Sequence, residues 1–155
     1  MAARLSAIDR VTPELLLTAT LSVPTGGAGF VDITREANGF LRDCKAGQGT
    51  LLLFLRHTSA SLTIQENADP DVQVDLMTAL SRLAPEGAGW VHDTEGPDDM
   101  PAHVKAMLTG VSLTVPVTDG AAALGTWQGI YLIEHRRAPH RREVVLQFIG
   151  SGRPS

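Results

Sequence analysis

The sequence predicts an α+β fold of layered β-sheet flanked by helices, and two observations lead to it. Strand-like runs rich in β-branched and aliphatic residues open the chain and return over its last third, while its most regular helical periodicity lies between them. A length of 155 residues with 43% hydrophobic content suffices for one core, so one domain over residues 1–155 is expected. Prolines and glycines are scattered rather than clustered, and no repeat or linker divides the chain.

Residues 15–23 read as a strand ended by the turn Pro24-Thr25-Gly26-Gly27, and residues 30–33 as a short second strand. A helix follows from Thr34, its expected N-cap, with Ala37, Leu41 and Cys44 along one side and Gly47 beyond its end. The Leu- and Phe-rich run 50–56 predicts a strand buried on both faces, and residues 61–65 another strand with Leu62 and Ile64 on one side. Asp69 before Pro70 is a cap followed by proline at the first helical position, which predicts a helix over 70–83 with Val72, Leu76, Leu80 and Leu83 inward. A further helix should start near Met100, capped by Asp98 or Asp99, with Val104 and Leu108 inward and Gly110 at its end. Residues 111–117, a strand through Leu124, residues 130–135 and residues 143–149 complete the strands.

A formal charge of -4 argues against a broad phosphate-binding face, so nucleic acid is not an expected partner. The basic cluster Arg136, Arg137, His140, Arg141 and Arg142 is first a solvated hairpin loop and second an anion site. No run approaches the roughly 18 apolar residues that span a bilayer, residues 1–10 carry no leader-like apolar core, and the lone Cys44 has no partner for an intrachain disulfide. A soluble, cytoplasmic protein with no membrane partner is the expectation.

Three histidines stand where chain geometry exposes functional groups: His57 at a strand end, His92 in a loop and His103 near a helix start. A helix N-terminus disfavours positive charge at His103, which suits a ring acting as base or ligand. Their spacing matches no standard zinc motif. His57 beside Thr58, Ser59 and Ser61 offers hydrogen bonds to a phosphate. Asp69 reads as a cap, whereas Glu66 and Asn67 are not explained by capping. The acidic loop from His92 through Glu95 to Asp99 could bind a cation or orient a histidine through a carboxylate. Gly125, Thr126, Trp127, Gln128 and Gly129 form a tight turn presenting an indole to a flat ligand or a neighbouring subunit.

The stretch HTSASLTIQENADPDV over residues 57–72 resembles the signature of the YjbQ family, as do EGPDDMPAH over 95–103, SLTVPV over 112–117 and LGTWQGIY over 124–131 with Glu134. Asp99 stands where asparagine is common in that family. The resemblance implies an α+β homotrimer with clefts near subunit boundaries, and a cleft lined by His57, His92 and His103 that holds a divalent metal (zinc or magnesium) or an anion such as phosphate. It further implies a secondary thiamine phosphate synthase activity, in which hydroxymethylpyrimidine is transferred from its diphosphate to a thiazole phosphate.

Two functions therefore compete. In one, a transferase uses His57 and His103 at the reacting centre, with Asp69 or Glu95 orienting a ring and Thr58, Ser59, Ser61, Asn67, Gly125, Thr126, Trp127 and Gln128 contacting a small phosphorylated substrate. In the other, a non-catalytic trimer binds a phosphorylated metabolite or metal. Turnover separates them.

Overall fold

The computed structural model describes residues 2–153, so Met1 and the last two residues of the expected domain lie outside the described residues. The fold is α+β. Its elements in chain order are β1 (Leu15–Thr25), β2 (Gly29–Asp32), α1 (Thr34–Asp43), β3 (Ala46–Leu55), β4 (Ala60–Glu66), α2 (Pro70–Leu83), α3 (Asp99–Thr109), β5 (Ser112–Thr118), β6 (Ala121–Ala122), β7 (Gln128–Glu134) and β8 (His140–Gly152).

The strands form two antiparallel sheets, ordered β1-β8-β3-β5-β6 and β2-β7-β4. Alternation along the strands sends Leu51, Leu53, Leu55, Val144, Leu146 and Phe148 of the first sheet and Leu62, Ile130 and Leu132 of the second into one buried cluster. Ala37 and Leu41 of α1 join it. Each fully buried leucine or phenylalanine contributes about 1.5–3 kcal/mol, so this cluster dominates the stability.

β3 corrects the expectation of a strand buried on both faces. Leu51, Leu53 and Leu55 are inaccessible, but Phe54 between them is 44% exposed, as is Ile149 on the same outer face at 47%. An antiparallel sheet without a covering helix leaves one face to solvent, whatever the run's hydrophobicity. β3 also begins at Ala46, so Gly47 lies inside the strand rather than beyond the helix. There Gly49 faces Gly150 so closely that an added Cβ would sit 2.2 Å from the Ile149 carbonyl oxygen.

Thr34 is the first residue of α1, not its cap. Its backbone N–H donates to Asp32 Oδ1 at 2.8 Å, and its hydroxyl accepts the Ile130 N–H, tying α1 to β7. α2 runs as expected, with Asp69 Oδ1 accepting the Asp71 N–H at 2.9 Å, yet Leu83 is exposed at the frayed end. In α3 the buried residues are Asp99, Pro101, Ala102 and Ala106, and Leu108 points outward. Small residues let this helix approach β4 closely. The expected strand through Leu124 shrinks to Ala121–Ala122, and β7 begins at Gln128, so the last two residues of the glycine-flanked turn, Gln128 and Gly129, belong to the sheet. Among the described residues no helix is long and apolar enough to cross a membrane.

Candidate metal centre and adjoining groove

Asp99 and His103 lie four residues apart on α3, the spacing that sets two side chains on one helical face. His92 reaches the same point from the loop joining α2 to α3. His92 Nε2 lies 2.8 Å and His103 Nε2 3.2 Å from Asp99 Oδ2, and one donor atom from each of the three residues falls within 4.8 Å of the others. The two imidazole rings are 5.7 Å apart.

Two of the three members, His103 and Asp99, are held from behind. His103 Nδ1 is 2.9 Å from the Thr58 carbonyl oxygen, which can only accept, so Nδ1 carries a proton and Nε2 is the nitrogen turned toward Asp99, the one left to ligate a cation. Asp99 is 2% exposed, and its second oxygen accepts from Arg136. Arg136 also donates to Asp98 Oδ2 at 3.2 Å and to the Glu95 carbonyl at 2.8 Å, closing the loop onto the helix. Burial pushes the Asp98 carboxyl up, but the Arg137 backbone N–H and the Arg136 side chain outweigh it and hold the group below its ordinary value. Asp98 therefore anchors the hairpin after β7 while its neighbour Asp99 faces the histidines.

Behind this cluster lies a buried ion pair. Glu134 is inaccessible and Arg142 is 4% exposed. Glu134 accepts from Arg142 Nε at 2.7 Å, the Thr25 hydroxyl at 2.8 Å and the Arg136 backbone N–H at 3.0 Å. Arg142 also donates to the Ser59 hydroxyl at 3.0 Å and to its carbonyl at 3.3 Å. The pair thus braces the segment 57–59, whose Thr58 carbonyl sets the His103 tautomer. The hairpin arginines are accordingly divided: Arg137 and Arg141 are exposed, as a solvated loop requires, whereas Arg142 is interior and Arg136 is spent on Asp98 and Asp99.

His57 is not among the converging donors. Its Nε2 accepts the Glu143 backbone N–H at 2.8 Å, so the side chain continues the β3–β8 ladder past the end of the strand. Burial, followed by the Arg142 charge, lowers its pKa below the usual histidine value and keeps this acceptor neutral. His57 nonetheless shares with Thr58 and His103 a groove of about 570 Å³. Ser59 and Ser61 are buried, the first on Arg142 and the second 2.8 Å from His135 Nε2. Glu95 meets the cluster through its backbone alone.

Asp69 serves as the α2 cap, and the residues beyond β4 form a separate group. Asn67 Nδ2 donates to the carbonyls of Thr126 and Gln128 at 3.3 Å, while the Gly125 N–H donates to Gln128 Oε1 at 2.8 Å. These bonds brace the turn and leave Trp127 65% exposed. Ala60 pairs with Glu134 at one end of β4 and Glu66 with Gln128 at the other, so roughly 20 Å of strand separates the two groups.

Sequence reasoning placed Asp99 in an acidic loop able to bind a cation or orient a histidine but named Asp69 or Glu95 as the orienting carboxylate, although the helical spacing of Asp99 to His103 was the available signal. It also missed His135, which is buried with no hydrogen-bond partner for Nδ1 among the described residues; burial lowers its pKa to about 4.

The donor set suits a divalent transition cation. Two imidazole nitrogens and one carboxylate oxygen match zinc-type coordination, whereas magnesium prefers an all-oxygen shell. His92, Asp99 and His103 would hold such an ion.

Residues 19–151 match the family described as UPF0047 protein YjbQ-like. The chain is 48% identical to the UPF0047 protein YjbQ of Salmonella typhimurium over 132 residues, covering 84% of this chain and 96% of that one. It is 44% identical to the UPF0047 protein sll1880 of Synechocystis over 131 residues, covering 84% and 89%. Among solved structures, the hypothetical protein APE1520 of Aeropyrum pernix superposes with a TM-score of 0.80 at 28% identity, covering 87% of this chain and 99% of that one. The conserved hypothetical protein TT1486 of Thermus thermophilus gives 0.74 at 41% identity, covering 82% and 97%. On the extent of these matches, this chain belongs to the UPF0047 family of YjbQ-like proteins.

Proposed function

We propose that the protein is a metal-dependent enzyme acting on a small phosphorylated substrate, with a divalent cation of the zinc type held by His92, Asp99 and His103. One observation carries this reading: three ligand-type side chains, two of them fixed from behind, converge beside an open groove. The chemistry such a cation supplies is Lewis-acid neutralisation of charge on phosphate. The chain's own part is to orient both rings through Asp99, to set the His103 tautomer through Thr58, and to fix the loop through Arg136.

The reaction to assay first is the one the family resemblance implies, transfer of hydroxymethylpyrimidine from its diphosphate to a thiazole phosphate. A cytoplasmic homotrimer is proposed as the working form. A trimer that merely binds a phosphorylated metabolite or metal remains the second reading, supported by the lack of a recognised nucleophile motif in the sequence.

The test is metal content after equilibration with zinc, alongside turnover. Wild type should retain one zinc per chain, and Asp99→Ala and His103→Ala should lose it while keeping the circular dichroism of the fold. Wild-type protein that takes up no zinc would sink the metal reading, and zinc-loaded protein that saturates with the pyrimidine diphosphate yet forms no product would favour the binding reading.

A further inference from the structure

His103, Ala106, Met107 and Gly110 recur at helical spacing along α3 and into its C-cap, so one helical face runs from the metal cluster outward. That face is one wall of the groove, and the other is the end of β3 from Phe54 to Arg56. Between His103 and Gly110 the helix rises about 10 Å. The groove changes character over this distance. It is polar where Arg56, His57 and Thr58 meet His103, and apolar beyond, where Phe54 is 44% and Met107 79% exposed. A volume near 570 Å³ falls in the range of small-molecule sites. Arg56 lies on its rim, 57% exposed, and its 3.4 Å pair with Glu143 is a surface ion pair weak enough for an anion to compete for the guanidinium.

We propose that this groove binds the non-reacting half of the substrate, and that Phe54 and Met107 determine specificity there. The ligand class is an oxyanion joined to one flat apolar group. Its head lies between Arg56 and the His92–Asp99–His103 cluster, and its body lies along the apolar wall, whose 10 Å reach accommodates one ring. This inference rests on the metal reading above and adds to it the shape and polarity of what the centre acts on. Met107 suits a flat partner, because a thioether side chain adapts its rotamer and makes favourable contacts with ring edges.

The experiment is a calorimetric titration of zinc-loaded protein with phenyl phosphate and, separately, with inorganic phosphate, for wild type, Phe54→Ser and Met107→Ser. Metal content and sedimentation are recorded on each sample. Phenyl phosphate should bind wild type at least tenfold more tightly than inorganic phosphate, and each substitution should cut that preference to under twofold. Equal affinities in the zinc-loaded wild type, a preference that survives both substitutions, or no binding of either compound at millimolar concentration would overturn the inference while the metal reading stands. Protein that takes up no zinc would instead remove the reading on which it rests. Conversion of an assembled wild type to monomers by Met107→Ser would show that a second copy of the chain covers the groove, and would also overturn it.

Discussion

Glu134→Gln removes the charge from the interior while keeping the side chain's shape, and its cost can be worked from the contacts. The carboxylate accepts from four donors: two guanidinium nitrogens of Arg142, the Thr25 hydroxyl and the Arg136 backbone N–H. A glutamine keeps one acceptor oxygen and turns an NH₂ toward donors, and Arg142 at 4% exposure is left without a counter-charge. Breaking one side of a buried pair costs about 3–5 kcal/mol. For a chain of this size each kcal/mol moves Tm by roughly 2–4 °C, so a fall of about 10 °C is expected. Adding Arg142→Met should restore part of that loss, because the uncompensated charge goes with it.

The pH dependence gives a second handle on the same pair. Burial raises the Glu134 pKa, but the hydrogen bonds from Arg142, Arg136 and Thr25 outweigh it and leave the group below its ordinary value. Its ionised form therefore stabilises the fold above the ordinary carboxylate range, and that contribution fades as pH falls through the folded value. The gap between wild type and Glu134→Gln should accordingly narrow in acid. Urea unfolding followed by circular dichroism, at one fixed protein concentration, measures both effects. A Glu134→Gln protein within about 1 kcal/mol of wild type at pH 7 would refute the reasoning.

Other outcomes follow from the same structure. His135 has a pKa lowered to about 4, so between about pH 6.5 and 4 the unfolded chain binds a proton that the folded one refuses, and stability should fall by about 3 kcal/mol across that window; His135→Gln should flatten the slope in urea titrations at pH 7 and pH 5. Gly49→Ala should cost at least about 3 kcal/mol, read as a lowered urea midpoint, because backbone on the facing strand occupies the new methyl's place. Asp69→Ala removes a helix cap and should cost about 1 kcal/mol with zinc content unchanged, whereas Asp99→Ala should abolish zinc binding in the same metal assay.

Much of the fold was legible because local chemistry decided it. Asp69-Pro70 started α2 where a cap and a pre-set proline dictate, and the alternating runs became strands. Legibility stopped where burial depends on partners. The leucines of β3 could not reveal that one face of their sheet has no helix over it, and the apolar residues of α3 could not reveal that Ala102 and Ala106, not Val104 and Leu108, approach β4. At the site, His92 and His103 did converge, but Asp99 occupied the position expected of Asp69 or Glu95. Adjacent carboxylates such as Asp98 and Asp99 are equivalent in sequence and diverge only once the helix fixes which one faces the histidines. Arg142 was unreadable for a related reason: an arginine in a basic run is interior only if a distant glutamate meets it.

The strand β4 carries the most continuous stretch of the family signature, yet its two ends face different neighbourhoods, with Ser59 and Thr58 at one and Asn67 bracing Trp127 at the other. Within one chain no small ligand bridges them. Lesions at the two ends should therefore be separable: if both serve a single reaction they must do so between molecules, and mixed assemblies of His103→Ala and Trp127→Ala chains would recover activity that neither parent possesses.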